Sequence, residues 1–314
     1  MLSTVRANAD KGPTRALNVR EIPFLGVGLG YRAEFRQELL ANRTQVDFLE
    51  LMVEHFLDMP PEQMGDAPLL AEQFDIVVHG LDLSIGTVEP LRLDYLANMH
   101  ELVVATGAHW ASDHLSMTSV PGRAIGNLTP LPLNHEMADY LIQKCRQAAR
   151  VLPVPFLLEN ISVLFRPAPD GMTEQAFITE VVQGADIFLL LDLTNILNNS
   201  INGRFDACDY LEGLPLDRVL QIHLAGGFAL DDVLLDTHSG PVPPEAFELL
   251  RYAARRMPAL RAVMIERDQN FPPFQTLLEE LDATREVLCT AWAPHFASGL
   301  VAAPTWLVGR AGAG

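Results

Sequence analysis

The chain has 314 residues, of which 49% are hydrophobic, and this content can bury a sizeable core in one large domain or two small ones. It carries 22 Lys and Arg against 40 Asp and Glu, so its formal net charge is −18. This charge argues against nucleic acids and anionic membranes as partners, because phosphate binding needs clustered basic residues. The acidity is compatible with a cationic partner or with metal ions held by carboxylates.

Targeting and redox signals are weak. The cysteines Cys145, Cys208 and Cys289 are far apart in sequence, so they form neither a CxxC motif nor an even disulfide framework. The first twenty residues have no continuous apolar core of a secretory signal, and no run of eighteen apolar residues predicts a membrane span. We therefore expect a cytoplasmic protein.

Short apolar runs recur along the chain at nearly even intervals. Each is too short to cross a membrane and apolar enough to form a strand that is buried on both faces, as parallel sheets require. The runs are 24–31, 46–54, 75–86, 109–116, 155–162, 186–199, 219–227 and 262–268.

Most of the intervals have the apolar spacing of a helix. Residues 90–108 place Leu91, Tyr95 and Met99 on one face of a 3.6-residue period, and Gly107 stands where the helix should end. The other predicted helices are 136–152, 172–184, 243–257 and, with the weakest pattern, 205–216.

Eight strand–helix units in about 260 residues predict a single (β/α)8 barrel of the TIM type. We place the barrel at residues 21–290, after an N-terminal extension (1–20) and before a C-terminal cap and tail (291–314). The alternative is a doubly wound open sheet. The segment GVGLG (26–30) does not fit the GxGxxG phosphate loop that such a sheet would carry there.

Polar residues follow the predicted strands where each strand ends. In a parallel barrel these ends meet on one face, where active sites are built. Imidazole and carboxylate groups are typical ligands of iron, zinc and manganese. The strand ends and one loop supply His79, His114, Glu159, Asp192, His223, Asp236, His238 and Glu266.

Taken singly, each of these residues has an ordinary structural interpretation. A lone histidine at a strand end is more often a hydrogen-bonded structural residue than a ligand. Asp113 and Glu54 could be helix caps or ion-pair partners, and Asn160 and Asn195 could cap loops or orient ligands.

Together they favour metal. Four carboxylates in an enclosed mouth would repel one another, at a desolvation cost of several kcal/mol each. We expect Arg267 to be the only cation nearby. About eight ligands suit two or three metal ions, since one ion takes four to six.

In this order, the motifs resemble those of the multinuclear non-heme iron-dependent oxidative enzymes, formerly domain-of-unknown-function family 692. The resemblance spans about residues 24–275 and is carried by HGLDLSIG (79–86), SDHLS (112–116), LLENIS (157–162), DLTNILNN (192–199), QIHLAGG (221–227), DTHSGPV (236–242) and ERD (266–268). It implies a xylose-isomerase-like barrel with two or three irons in a mixed-valent Fe(II)/Fe(III) centre that activates O2. It also implies a ribosomal precursor peptide as substrate, usually altered at a cysteine, and a small leader-binding partner protein.

Carried over by motif, the resemblance implies that the eight strand-end and loop residues are the metal ligands, with Asn195 as a possible ninth. Asp192, His223 and His238 are the expected catalytic residues. Two positions depart from the family pattern: Thr194 stands where an asparagine is common, and Gly227 stands where a polar residue is common.

Three alternatives stay open. A sugar isomerase or epimerase on a similar barrel would use Mg, Mn or Co without oxygen, but the sequence lacks a lysine at a strand end near the ligands. A zinc phosphodiesterase of the endonuclease IV type is disfavoured by the net charge of −18. A metal-binding protein without catalytic activity is the third.

Overall fold

The computed structural model describes residues 19–57, 65–166, 171–231 and 233–297. Its barrel is built from β1 (Gly26–Gly30), β2 (Phe48–Met52), β3 (Asp75–His79), β4 (Ala111–His114), β7 (Phe156–Glu159), β8 (Phe188–Asp192), β9 (Val219–Ala225) and β12 (Ala262–Glu266). The eight strands are parallel and close in the order β1-β12-β9-β8-β7-β4-β3-β2. The predicted TIM barrel is confirmed.

Helices lie outside the strands. They are α1 (Arg36–Ala41), α2 (Ala67–Ala71), α3 (Leu93–Thr106), α4 (His135–Val151), α5 (Glu174–Ala185), α6 (Leu193–Gly203), α7 (Ala207–Glu212), α8 (Pro244–Ala254) and α9 (Phe274–Ala297). Helix α3 buries the predicted apolar face and ends at Gly107, whose φ of 64° is the left-handed conformation expected there. Asn134 and Thr173 begin α4 and α5 by accepting backbone N–H groups with their side chains.

The two-residue period of the strands builds the barrel interior in layers. Side chains two apart on a strand point to the same side, so Val77 and His79 both face inward. An apolar layer that includes Phe48, Trp110 and Leu157 fills the lower part of the barrel. The next inward positions toward the carboxyl ends of the strands are polar, and this alternation places the candidate ligands on top of a packed core.

The structure corrects the predicted strand at 186–199. Strand β8 ends at Asp192, and Leu193–Gly203 is the helix α6. The carboxylate of Asp192 accepts the backbone N–H of Asn195, so the residue that ends the strand also begins the helix. The amides of Asn195, Asn198 and Asn199 therefore lie on the first turns of a helix.

Two hairpins beside the barrel mouth were not predicted. Strands β5 (Met117–Val120) and β6 (Arg123–Thr129) form one after β4, and strands β10 (Phe228–Leu230) and β11 (Val233–Leu235) form the other after β9. Both lie in the strand-to-helix loops, which in this fold carry substrate-binding elements.

The predicted domain boundaries, with the barrel at 21–290, stay a prediction. Helix α9 continues to Ala297. Residues 1–18 and 298–314, which hold most of the predicted extension and tail, lie outside the described residues. No helix in the described part of the chain is long and apolar enough to cross a membrane.

Candidate metal centre

The predicted ligands converge around Glu159 at the carboxyl end of β7. Its Oε2 atom lies 3.3 Å from His79 Nε2 and 3.2 Å from His114 Nε2, and its Oε1 atom lies 3.3 Å from His223 Nδ1. His223 Nδ1 is also 3.5 Å from Glu266 Oε2. Three histidines from three other strands thus contact one buried carboxylate, and Glu266 joins the cluster through His223.

Three overlapping groups of ligand atoms are close enough to hold ions. Each group has its donor atoms within 4.8 Å of one another, and the groups are His79–His114–Glu159, Glu159–Asp192–His223 and Asp192–His238–Glu266. Glu159 and Asp192 each belong to two groups, so the three groups form one continuous cluster. Asp236 joins the third group through a 2.7 Å contact between its Oδ1 atom and His238 Nε2.

Hydrogen bonds turn one nitrogen of two histidines away from the centre. His79 Nδ1 lies 2.8 Å from Ser112 Oγ, which itself bonds the carbonyl of Val78. His223 Nε2 lies 3.0 Å from Glu50 Oε2. In these two rings the other nitrogen faces the carboxylates, as expected when partners outside a metal site set the tautomer of its ligands. In His238 both nitrogens contact carboxylates, since Nδ1 lies 3.1 Å from Asp268 Oδ2 and 3.3 Å from Glu266 Oε2.

Asp192 is positioned by both of its neighbouring asparagines. Asn160 pairs with the Asp192 backbone in both directions, at 2.9 and 3.0 Å. Asp192 Oδ1 accepts from Asn195 N at 2.7 Å, while its Oδ2 atom is buried without a hydrogen-bond partner. One oxygen is thus used by the fold and the other faces the centre, and the side chain of Asn195 lies between α6 and the mouth.

Glycine allows the loop with Asp236 and His238 to approach the end of β9. A Cβ atom on Gly226 would lie 2.1 Å from the carbonyl oxygen of Pro241, and Gly226 O accepts from Ser239 N at 2.9 Å. His238 itself has a φ of 47°, which an L-residue adopts only when its surroundings hold it. This close packing and this hydrogen bond therefore hold the loop against the end of β9.

The charges of the centre perturb one another strongly. Burial would raise the pKa of Glu159, but His223, His114 and His79 outweigh burial and lower that pKa to about 2. Burial opposes protonation of His223, yet Glu50 and Glu159 raise its pKa well above the ordinary value. Burial, followed by the charges of Asp236 and Glu159, raises the pKa of Asp192 well above its ordinary value. These imidazoles and carboxylates thus shift one another's pKa values through direct electrostatic contact.

The expectation that Arg267 is the only nearby cation is wrong. Arg267 pairs with Glu280 at 3.2 Å, whereas Arg32, from the loop after β1, reaches the rim. Arg32 bonds Asp268 and lies 3.7 Å from Glu266 Oε1. No sequence pattern signals this contact, because it arises when closure of the barrel brings β1 beside β12.

The guanidinium of Arg32 alone does not pair with all the buried polar atoms of the centre. The buried side-chain atoms without a hydrogen-bond partner include Asn195 Oδ1, Glu159 Oε2, Asp192 Oδ2 and His223 Nδ1. Buried polar atoms rarely stay unpaired, and all four can act as metal ligands when unprotonated. The donor set therefore fits a centre of more than one metal ion.

The centre forms the floor of a cavity of about 630 Å³, which we call the mouth cavity. Its walls come from strand ends and loops on opposite sides, with Leu81 and Thr118 on one side and Thr237 and Gln269 on the other. Residues 124 and 126–128 of β6 also line it. The volume lies within the usual range for a small-molecule pocket and would hold a few residues of a peptide.

Two carboxylates outside the ligand set bind loops rather than capping helices. Asp113 accepts from Leu83 N at 3.2 Å and from His114 N at 2.7 Å. Glu54 accepts from Leu81 N at 2.9 Å and from the Tyr95 hydroxyl at 2.5 Å. They shape the loop after β3, next to His79. Of the groups that contact the ligands, Glu50 had an available sequence signal, since it is a charged residue at an inward position of an apolar strand.

Comparison with known proteins places this centre in a family. The family model described as "RiPP precursor modification enzyme MbnB/TglH/ChrH" matches residues 26–289. The chain belongs to the MbnB/TglH/ChrH family. This match covers the whole barrel, and RiPP denotes a ribosomally synthesised, post-translationally modified peptide.

Relatives of similar length support the assignment. A UPF0276 protein of Caulobacter vibrioides is 38% identical over 264 residues, covering 84% of this chain and 94% of that protein. The UPF0276 protein Anae109_1558 of an Anaeromyxobacter species is 36% identical, with 86% and 95% covered. The recognised resemblance is thereby confirmed.

Solved structures show the same fold at low identity. D-psicose 3-epimerase from Clostridium cellulolyticum superposes with a TM-score of 0.55 at 10% identity, covering 85% of this chain and 98% of that one. Endonuclease IV from Thermus thermophilus gives 0.54 at 16% identity, covering 85% and 99%. These neighbours establish the barrel type alone. The MbnB/TglH/ChrH assignment, with the clustered ligand groups, indicates an enzyme that modifies a RiPP precursor.

Proposed function

We propose that this MbnB/TglH/ChrH family member is an iron- and oxygen-dependent oxidoreductase that modifies a ribosomal precursor peptide at a cysteine. The observation that carries the proposal is the set of three overlapping ligand groups, joined through Glu159 and Asp192, on the floor of the mouth cavity. Two or three iron ions, in mixed Fe(II)/Fe(III) states, match the groups in number and the four carboxylates in charge.

The ligand roles follow from which atoms face the centre. His79, His114 and Glu159 would hold one ion, and Asp192, His223, His238 and Glu266 would hold the others, with Asp236 beside His238. Asn195 Oδ1, buried and without a partner, is available as a further ligand or as a contact to substrate. Mixed imidazole and carboxylate ligands suit iron and leave positions open for substrate and oxygen.

Bound iron would supply a Lewis-acidic position for a cysteine thiolate and the means to use O2 as the oxidant. The residues of this chain would bind and orient the ions and shape the cavity. The candidate ligands would hold the ions, the asparagines orient Asp192, and Leu81 and Leu128 supply apolar walls to the cavity. Asp192, His223 and His238 are the proposed catalytic residues because they belong to the groups that would surround the reacting cysteine.

Delivery of the peptide is proposed to need a second protein. The described barrel elements are the eight strand–helix units and two short hairpins, and the resemblance implies a small partner that binds the leader of the precursor. In this arrangement the mouth cavity receives only the segment to be modified, in keeping with its volume of about 630 Å³.

The test measures the metal content of the chain separately from its activity on a peptide. The chain is purified without oxygen or chelator, and its metals are identified by elemental analysis and Mössbauer spectroscopy. It is then co-expressed with short cysteine-containing peptides encoded beside its gene, together with any small neighbouring protein. We expect two or three irons per chain, O2 uptake that depends on the peptide, and a mass change at a cysteine.

Oxygen dependence distinguishes the alternatives. A sugar isomerase or epimerase would keep its activity under strict anaerobiosis once manganese replaced chelated metal. A binding protein would hold iron at full occupancy and take up no oxygen with peptide present. Lys144, the lysine among the described residues, lies on α4 and bonds the carbonyl of Thr87, so it does not serve as a base at the mouth cavity.

A further inference from the structure

We propose that Glu50 is a positioning residue for the metal centre. In this role it holds His223 with Nδ1 facing the ions and lends its negative charge to that ligand, and it is itself held by Gln221 and Trp110. The inference deepens the proposed function and rests on it, since it concerns the same centre. Glu50 belongs to neither the predicted ligands nor the three ligand groups.

The four residues form one continuous buried chain, which we call the Trp110 chain. Trp110 Nε1 donates to Gln221 Oε1 at 2.5 Å, and Gln221 Nε2 donates to Glu50 Oε2 at 2.6 Å. His223 Nε2 lies 3.0 Å from the same Glu50 oxygen. All four side chains are at most 1% exposed, so water does not compete for these bonds.

The chemistry of the donors gives the Trp110 chain a direction. An indole N–H can only donate, so the oxygen of the Gln221 amide must face Trp110. The Gln221 NH2 group then faces Glu50, whose carboxylate accepts from it. Gln221 Nε2 also lies 2.8 Å from His223 Nε2, so the amide and the carboxylate both flank this ring nitrogen. When Nδ1 binds a metal ion, the proton of His223 would stay on Nε2, where Glu50 accepts it.

The orientation leaves His223 Nδ1 as the nitrogen that faces the centre. This atom is buried without a hydrogen-bond partner and lies 3.3 Å from Glu159 Oε1 and 3.5 Å from Glu266 Oε2. A carboxylate behind a metal-bound imidazole fixes the ring and makes it a stronger ligand. It also favours the higher oxidation state of the metal, because negative charge near the centre stabilises the more positive ion.

Orientation alone would not require a charge at position 50. A glutamine there could place one oxygen where Glu50 Oε2 lies and accept from both Gln221 and His223. Burying a carboxylate instead costs several kcal/mol unless a cation is near. Arg32 gives its hydrogen bonds to Asp268 and to the carbonyl of Tyr31 rather than to Glu50. With metal bound, the charge of Glu50 would act on the ions held by His223.

The experiment uses Glu50→Gln, which removes the charge and keeps the shape and acceptor. The control is Asp47→Asn, on the same chain segment three residues earlier, where the carboxylate bonds Val27 N and Arg285. Unfolding temperature reports on folding, Fe(II) affinity is measured by anaerobic competition with a chelator, and the midpoint potential by redox titration. Co(II) absorption spectra provide a readout that needs neither turnover nor iron.

We expect Glu50→Gln to bind Fe(II) at least tenfold more weakly than wild type, to shift the midpoint potential upward, and to alter the Co(II) spectrum. Asp47→Asn should match wild type in all three metal readouts. Trp110→Phe, which keeps an aromatic ring and loses the indole donor, should weaken binding in the same direction by a smaller factor. It also tests the Trp110 chain if Glu50→Gln folds poorly.

Two results overturn the inference in distinguishable ways. If wild type binds metal and both Glu50→Gln and Trp110→Phe stay within twofold in affinity with unchanged potential and spectrum, the Trp110 chain is only part of the core. If wild type binds neither Fe(II) nor Co(II), the proposed function fails and this inference fails with it.

Discussion

Substitution of Asp192 separates its two roles, because each of its oxygens has one. Oδ1 begins helix α6 by accepting Asn195 N, and Oδ2 faces the centre. Asp192→Asn keeps an acceptor for the helix and replaces the second oxygen with an NH2 group, which repels cations. Asp192→Ala removes both functions. Comparing the two variants therefore assigns each loss to one oxygen.

The expected magnitudes follow from the structure. Two of the three ligand groups contain Asp192, so Asp192→Asn should reduce the metal content from two or three ions per chain to about one. The metal-free variant should be at least as stable as wild type, since burial and the charges of Asp236 and Glu159 already disfavour the ionised Asp192 and raise its pKa. Asp192→Ala should lower the free energy of unfolding by a further ~1 kcal/mol, because the helix cap is missing. In a chain of this size that corresponds to a fall of about 2 °C in the unfolding temperature.

The assays are elemental analysis of anaerobically reconstituted protein and thermal unfolding with and without EDTA. Asp206→Ala is the matched control, because Asp206 begins α7 in the same way by accepting from Cys208 N and Asp209 N, away from the centre. Asp206→Ala should lose the stability that the helix cap contributes and should keep its full metal content. A full metal complement in Asp192→Asn, or an equal metal loss in Asp206→Ala, would refute the assignment of Asp192 as a ligand.

Further predictions concern pH, the rim arginine and metal removal. The pKa values of His223 and His238 are raised well above the ordinary value. Their contribution to stability is therefore complete below about pH 6.5 and is lost as the pH rises through their pKa values in the folded state. The metal-free chain should unfold at a lower denaturant concentration at pH 9 than at pH 6. Metal affinity should change in the opposite sense, because ligands must release protons, and a pH-independent affinity would contradict the ligand set. Arg32→Met should destabilise the metal-free chain by about 1 kcal/mol in denaturant titrations, since Asp268 loses its guanidinium partner and Glu266 loses one of its neighbouring cations, and by less when metal is bound. Chelation should lower the unfolding temperature; a free metal concentration 100-fold above Kd corresponds to about 2.7 kcal/mol per site, and an unchanged temperature would mean that the centre holds no metal in the folded state.

The order of residues along the chain was enough to predict the barrel and the positions of its strands. Evenly spaced apolar runs favour a parallel sheet, because strands covered on both faces must be apolar throughout. The same logic located the residues of the centre, since the carboxyl ends of all strands of such a barrel meet on one face. His79 and Glu159 needed no more than this rule to be selected.

The local hydrophobic pattern did not predict two elements whose structure depends on their tertiary surroundings. Residues 193–199 mix three apolar residues with Thr194 and three asparagines, and they form a helix because Asp192 supplies the cap that starts it. Periodicity over so few residues does not separate a strand from a buried helix turn. The hairpin after β4 likewise has an exposed second strand, Arg123–Thr129, without the alternation of a half-buried strand.

The support of the centre depends on the folded barrel and could not be read from the chain. Closure of the barrel brings Arg32 to Asp268, and Glu50 to His223, across 236 and 173 residues of sequence. No local pattern encodes these pairs, because they depend on which strands become neighbours and on inward side chains meeting across the barrel. The amino-acid sequence therefore specifies which candidate ligands are present, while the closed barrel specifies their partners and the atoms that face one another at its mouth.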